Sequence, residues 1–157
     1  MPKGNGTVTR VAIVMLTLNQ HDSTLRALQS LVPQLDVGMR VILWDNGSTD
    51  DTLAAVEREF PGVVTHHHPV NLGVASGRNA GAAYAWERFQ PEYLLFLDND
   101  LVLRPGFVRA LLEALEADPQ VGQAQAKLLY LDEPTRINDG GGCRINFWFG
   151  RTDPVGF

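Results

Sequence analysis

The sequence predicts an α/β fold in which a mostly parallel sheet carries helices on both faces. Short apolar runs typical of strands alternate with segments whose leucines recur at helical spacing. The first run, VAIVML, is continuously apolar, as expected for a strand that is covered on both faces. Polar residues directly follow three of these runs. Ligands of such sheets bind beyond the carboxyl ends of the strands, so we expect these polar residues to form one site.

Each element has its own local signal. The predicted strands cover residues 11–16, 40–44, 63–66, 93–97 and 121–131. The first helix, 22–32, places Leu25, Leu28 and Leu31 on one face. Ser48 and Asp51 stand at capping-box spacing before a second helix that ends near residue 60. An alanine-rich third helix covers 74–89, and the fourth, 105–117, has its proline in the first turn.

Length and composition limit the class of protein. The 157 residues, 45% of them hydrophobic, suit one domain over 10–157 after a flexible leader over 1–9. The Gly-rich end after Leu131 reads as a loop with a short hairpin. A net charge of −5 without clustered Lys and Arg argues against a nucleic-acid partner. The single Cys143 excludes an internal disulfide and predicts a cytosolic setting. A position at the inner face of the membrane is compatible with that setting. No apolar run approaches the roughly 20 residues of a membrane span.

The stretch FLDND ends a strand with two acids, Asp98 and Asp100. Residues i and i+2 of an extended segment point the same way, so both carboxylates can address one ion. Hard oxygen ligands suit Mg²⁺ or Mn²⁺, which typically also bind phosphate oxygens. The alternative is a solvated turn.

The stretch NLGVASGRNAG places Gly73, Gly77 and Gly81 four residues apart, on one face of a helix. Small residues there allow a ligand or a backbone to approach closely. Helix N-termini attract anions, and Arg78 adds a cation suited to phosphate or a base edge. The alternative for the glycines is close packing of the helix on the sheet.

Further candidates follow the first two strands. Thr17 and Asn19 come after the first, and Asp45 and Asn46 after the second. Asp45 could accept the imide N–H of a pyrimidine base or cap the Ser48 turn. The histidines at 66–68 alternate faces on a strand, so they cannot all bind one ion, and we expect a solvent-facing strand end.

Four segments, LTLNQ, ILWDNGSTDDT, NLGVASGRNAGAAYA and FLDND, in this order resemble the inverting, GT-A-fold glycosyltransferases of family 2. The similarity is greatest to bacterial rhamnosyltransferase-like members, which build surface polysaccharides. It implies a Rossmann-like sheet, a UDP- or dTDP-linked sugar donor, a sugar or glycolipid acceptor, and Mn²⁺ or Mg²⁺. It places Asp98 near the ribose and Asp100 on the divalent cation, with Asp98 as a second metal-binding carboxylate. The nucleotide-sugar contacts it implies are Thr17, Asn19, Asp45, Asn46, Gly73, Arg78, Asp98 and Asn99.

Two departures from that family pattern matter. Leu18 stands where the family usually has Tyr, so aromatic contact with the base is lost there. Inverting transfer also needs a general base, and neither Asp139 nor Asp153 sits in a matching motif. We therefore expect this chain to be the donor-binding part, with the base beyond Phe157. The competing interpretations are a nucleotide-sugar-binding module without catalysis and a haloacid-dehalogenase-like phosphatase.

Overall fold

The computed structural model describes residues 9–140, 143–146, 148–149 and 151–154. They fall into two compact units, divided between Pro105 and Gly106. The single domain over 10–157 stays a prediction. The leader lies outside the described residues except for Thr9, which is buried. No helix among the described residues is long and apolar enough to cross a bilayer.

The first unit is built on a four-stranded parallel sheet with the strand order β3-β2-β1-β4. The strands are β1 (Val11–Thr17), β2 (Met39–Asp45), β3 (Val64–His67) and β4 (Tyr93–Asp98). The helices are α1 (His21–Leu31), α2 (Thr52–Glu59) and α3 (Gly73–Phe89), and a 3₁₀ turn (Val32–Gln34) follows α1. The predicted α/β fold with a parallel sheet is confirmed, and these elements match their predicted positions to within a few residues.

Alternation along β1 sends side chains to helices on both faces of the sheet. Ala12 and Val14 pack with Ala85 of α3 in one buried cluster. Thr17, of opposite parity, hydrogen-bonds Thr24 of α1 on the other face. Both faces of β1 are therefore covered, which explains its unbroken apolar run.

The second unit contains α4 (Phe107–Glu116) and two short antiparallel hairpins. One pairs β5 (Leu128–Leu129) with β6 (Ile137–Asp139), and the other pairs β7 (Cys143–Asn146) with β8 (Arg151–Pro154). The predicted fifth strand over 121–131 is wrong. Residues 121–127 have no regular structure, because Gly122 and the glutamines interrupt the apolar pattern that a buried strand needs. The short hairpin predicted after Leu131 is confirmed by the pairing of β7 with β8.

Two predicted helix starts are also wrong. The helix α2 begins at Thr52 with Asp51 as its N-cap, so Ser48 does not form a capping box. The Ser48 hydroxyl instead accepts a hydrogen bond from the backbone N–H of Asn19, at 2.8 Å. The helix α4 begins at Phe107, because Gly106 adopts a positive φ of 83° and forms a turn with Pro105.

Candidate functional site

The carboxyl ends of the four parallel strands lie side by side. Thr17, Asp45, His67 and Asp98 are the last residues of β1, β2, β3 and β4. The register pairs Thr17 with Asp45 and Asp45 with His67. The polar residues that the sequence singled out after these strands therefore lie along one edge of the sheet, as predicted.

The segment after β4 alternates between exposed acids and a buried amide. Asn99 is only 7% exposed. Its Nδ2 donates to the hydroxyls of Thr17, at 3.2 Å, and of Thr24, at 2.9 Å. Asp98 and Asp100 on either side are exposed. The amide thus fixes the segment while the two carboxylates remain accessible.

This buried network joins three elements. The Thr17 and Thr24 hydroxyls lie 2.8 Å apart, so β1 and α1 are linked to each other and, through Asn99, to the end of β4. Thr24 was missed by the sequence analysis, and its only signal is a hydroxyl among the leucines of the buried helix face. The nucleotide contacts of Thr17 and Asn99 stay predictions, whereas the structure shows a bracing role for both.

The exposed acids differ in their partners. The Asp98 carboxylate forms an ion pair with the guanidinium of Arg78, which α3 supplies. Among the described residues, Asp100 has no hydrogen-bond or ion-pair partner for its carboxylate. Asp98 therefore holds Arg78 at the end of β4. The carboxylate of Asp100, two residues further along the chain, remains available to a ligand.

Close packing of α3 on the sheet brings Arg78 to this position. A Cβ on Gly77 would lie 2.8 Å from Cδ1 of Leu16, and one on Gly81 would lie 2.7 Å from Cγ1 of Val14. Both distances are shorter than real Cβ contacts. The packing interpretation of these two glycines is thus observed.

The start of α3 is held by two asparagines. The buried Asn46 donates from Nδ2 to Oδ1 of Asn71, at 2.8 Å, and its own Oδ1 accepts the backbone N–H of Leu72, at 3.1 Å. Asn71 in turn accepts the N–H of Gly73, at 2.8 Å. Gly73 has a φ of 77°, which glycine adopts without strain. Asn71 was not predicted as a site residue, and the binding roles of Asn46 and Gly73 stay predictions.

Asn19 connects the loops after β1 and β2. Its side-chain Oδ1 accepts the N–H of Thr49, at 2.7 Å, and its φ of 50° lies in the left-handed region, which Asn tolerates better than most residues. Its contact with a nucleotide stays a prediction.

Asp45 is buried and bonded on both oxygens. Oδ1 accepts the backbone N–H of Ser48, at 3.0 Å, so the turn-capping interpretation is observed. Oδ2 lies 2.7 Å from Nδ1 of His67. No local pattern in the sequence indicates this partner, because His67 and Asp45 stand 22 residues apart. Contact of Asp45 with a base stays a prediction.

The neighbouring histidine faces the other side of β3. His66 stacks on Trp44 with ring centroids 4.3 Å apart. Burial lowers the pKa of His66, and His68 and His67 lower it further. His66 therefore packs against an aromatic ring, whereas His67 contacts the Asp45 carboxylate.

The acids of the site fit a divalent cation bound together with phosphate. Within the described ranges, no group of three or more His, Cys, Asp or Glu side chains could hold a metal by itself. Mg²⁺ needs no such group, because it is usually held by one or two carboxylates, by waters and by substrate phosphates. Asp100, with Asp98 beside it, can supply that number of carboxylates.

Comparison with known proteins identifies the family. The model of glycosyl transferase family 2 matches residues 12–141, most of the chain. The chain belongs to this family. An N-acetylglucosaminyl-diphospho-decaprenol L-rhamnosyltransferase of Mycobacterium tuberculosis is 29% identical over 117 residues, which are 70% of this chain and 38% of the relative. The chain thus spans about a third of the length of such relatives.

Solved structures share the fold, and one of them is a mannosyltransferase. Staphylococcus aureus TarS 1-349 in complex with UDP matches with a TM-score of 0.61 and 19% identity, over 79% of this chain and 43% of TarS. The mannosyltransferase PcManGT of Pyrobaculum calidifontis, in complex with GDP-Man and Mn²⁺, matches with a TM-score of 0.59 and 22% identity, over 72% and 34% of the two chains. The predicted GT-A-type fold is therefore confirmed.

Proposed function

We propose that this chain binds the nucleoside-diphosphate part of a sugar donor, within an inverting glycosyltransferase that acts in polysaccharide synthesis. The observation that carries the proposal is the Arg78–Asp98 ion pair, at the same sheet edge as Asp45, followed two residues later by Asp100, whose carboxylate has no partner among the described residues. A diphosphate needs cationic partners, a metal needs an available carboxylate, and this edge offers both. The acceptor is a sugar or glycolipid hydroxyl, in keeping with the name of the rhamnosyltransferase relative.

The acidic residues and the arginine of the site have separate proposed roles. Asp100 would hold Mn²⁺ or Mg²⁺, with Asp98 as a second carboxylate or as a partner of the ribose. The cation, when bound, offsets the negative charge of the diphosphate leaving group. Arg78 adds a fixed fork of N–H donors that Asp98 already orients. Binding the diphosphate in this place is the part of catalysis that these residues perform.

The donor is proposed to be UDP- or dTDP-linked. A relative in fold carries UDP and another carries GDP-Man with Mn²⁺, so both a pyrimidine and a purine donor occur among the structural neighbours. The interpretation of Asp45 as part of an imide-recognising site favours the pyrimidine. No described residue is assigned as the general base. Asp139, one candidate, accepts a hydrogen bond from Nε2 of Gln125 at 3.3 Å.

Calorimetric titration tests the proposal. UDP, dTDP and GDP are titrated into the chain with Mn²⁺, with Mg²⁺ and with a chelator. We expect binding that the metal strengthens by at least about tenfold, because the phosphate charge otherwise faces the site acids directly. Equal affinity with and without metal would remove the metal from the proposal, and absence of nucleotide binding would refute the proposal as a whole.

A matched pair of variants assigns the effect. Asp100→Asn should abolish the metal dependence while the unfolding transition stays within about 0.5 kcal/mol, because the residue is exposed. Asp36→Asn is the control, since it removes the same charge from an exposed position just before the amino end of β2. If Asp36→Asn weakens binding as much as Asp100→Asn does, the effect is one of net charge and Asp100 is not a ligand.

A further inference from the structure

His67 has no part in the proposed function, although it forms a pair with Asp45 at the same sheet edge. The two residues are register partners on adjacent parallel strands, with Nδ1 of the imidazole 2.7 Å from Oδ2 of the carboxylate. The other carboxylate oxygen accepts the backbone N–H of Ser48. The geometry of Asp45 is therefore fixed from two sides.

The carboxylate determines which nitrogen of the imidazole carries the proton. A carboxylate without a proton only accepts hydrogen bonds, so we assign the donor role in this pair to the N–H at Nδ1. In the neutral imidazole, Nε2 then holds a lone pair and acts as an acceptor. Asp45 thus sets the tautomer of His67, as carboxylates do for histidines in other sites.

Exposure distinguishes the two partners. The Asp45 side chain is 1% exposed, whereas that of His67 is 47% exposed. A ligand that approaches this edge of the sheet therefore meets the imidazole before it meets the carboxylate. The imidazole is therefore the accessible member of the pair, and Nε2 is the acceptor that it offers.

We infer that His67 recognises the nucleobase of the donor by accepting the imide N3–H of uracil or thymine at Nε2. The inference rests on the proposed function, because it names the base that this same site selects. It also changes the role of Asp45, which becomes the residue that orients the imidazole rather than the direct partner of the base.

The inferred contact selects against cytosine. At N3, uracil and thymine carry a proton that Nε2 can accept, whereas cytosine presents a lone pair. Two acceptors then face each other without a proton, and a polar group left unpaired on binding is costly. We therefore expect the chain to bind UDP at least about tenfold more tightly than CDP.

His68 offers a matched control on the same segment. Its Nδ1 lies 2.7 Å from the carbonyl oxygen of Val70 and 3.3 Å from the backbone nitrogen of the same residue. Its ring lies 5.9 Å from Trp44, on the side of the strand that His66 occupies. His68 is therefore a histidine of the same segment whose ring lies beside Trp44 instead of beside the Asp45 carboxylate.

Asparagine substitution separates the two nitrogens. The amide N–H₂ of Asn can take the place of Nδ1 and keep the bond to Asp45, but nothing replaces Nε2. UDP and CDP are titrated with Mn²⁺ at about pH 8.5, which favours neutral imidazoles. His67→Asn should bind both nucleotides within about twofold of each other and keep its metal dependence. His68→Asn should keep the wild-type preference for UDP.

The outcomes distinguish this inference from the proposed function. If wild type binds UDP and CDP with metal but equally well, the inference fails and the function stands. If His67→Asn retains the preference, His67 only braces Asp45 and the inference is overturned. If wild type binds no nucleoside diphosphate, both fail.

A measurement on the wild type covers the case in which His67→Asn does not fold. With ¹⁵N-labelled histidine, hydrogen bonding to the lone pair of Nε2 moves its resonance. We expect UDP, but not CDP, to move one histidine Nε2 signal. An unchanged histidine spectrum at saturating UDP would overturn the inference.

Discussion

Substitution of Gly81 by alanine tests whether α3 is held against the sheet as closely as the structure shows. The new Cβ would lie 2.7 Å from Cγ1 of Val14 and 3.4 Å from Cβ of Trp44. Val14 cannot readily move away, because its β-branched side chain is stiff and it is buried in a central strand. The helix must therefore shift outward, or the strand must deform.

Two terms of opposite sign set the magnitude. Overpacking of a core costs about 1–3 kcal/mol, whereas alanine gains about 1 kcal/mol over glycine within a helix. The net expectation is a loss of about 1 kcal/mol in the free energy of unfolding, and up to about 2. Urea denaturation followed by circular dichroism measures this loss through the midpoint, provided that the slope is unchanged.

Gly77→Ala is the matched control, because it is in the same helix and gains the same helix propensity. Its Cβ would meet the end of the flexible Leu16 side chain at 2.8 Å, which can give way, and the Asn46 amide at 3.3 Å. We expect Gly77→Ala to be more stable than Gly81→Ala by about 1–2 kcal/mol. If Gly81→Ala is as stable as Gly77→Ala or more so, α3 does not lie as close to Val14 as described.

Two further predictions concern the buried amide and the stacked histidine. Asn99→Ala should lower the free energy of unfolding by about 1–3 kcal/mol in urea and weaken metal-dependent UDP binding, because two hydrogen bonds that fix the segment between Asp98 and Asp100 are lost. Unchanged UDP affinity would show that the hydrogen bonds of Asn99 stabilise the fold without positioning the binding residues. The folded pKa of His66 is lowered, so the unfolded chain binds more protons below about pH 6.5, and stability falls as the pH falls through that window. His66→Phe, which can keep the stack on Trp44, should lose less stability than wild type between about pH 7 and pH 5 in urea titrations, and an equal loss would contradict the assignment.

The fold was predictable because its signals are local. The first four strands and the first helix carry continuous or periodic apolar patterns, and the structure places them close to the predicted residues. The strand predicted over 121–131 failed for the complementary reason. Its short apolar segments fit the pattern of a strand. Within that range, however, only Leu128 and Leu129 form a strand, and it pairs with β6 in a hairpin rather than with the parallel sheet.

The position of the site could be predicted from the sequence, but the hydrogen-bond partners of its residues could not. Parallel topology alone places Asp45 and Asp98 at one edge, so the sequence could identify them. Which side chains they bond depends on contacts between distant parts of the chain. Asp45 meets His67 across 22 residues, and Asn46 meets Asn71 across 25. No periodicity reports such pairs, so His67 and Asn71 were missed.

The order Asp-Asn-Asp at the end of β4 follows from what each position contacts. The middle side chain lies in a buried site, where its amide nitrogen donates to two threonine hydroxyls. A carboxylate at that position has no N–H to donate and would add a third negative charge between two others, in a place that water does not reach. The outer positions have the opposite requirement, because only an exposed acid can meet a cation and a phosphate. The amide of Asn99 therefore anchors the segment, and Asp98 and Asp100 give it its charge.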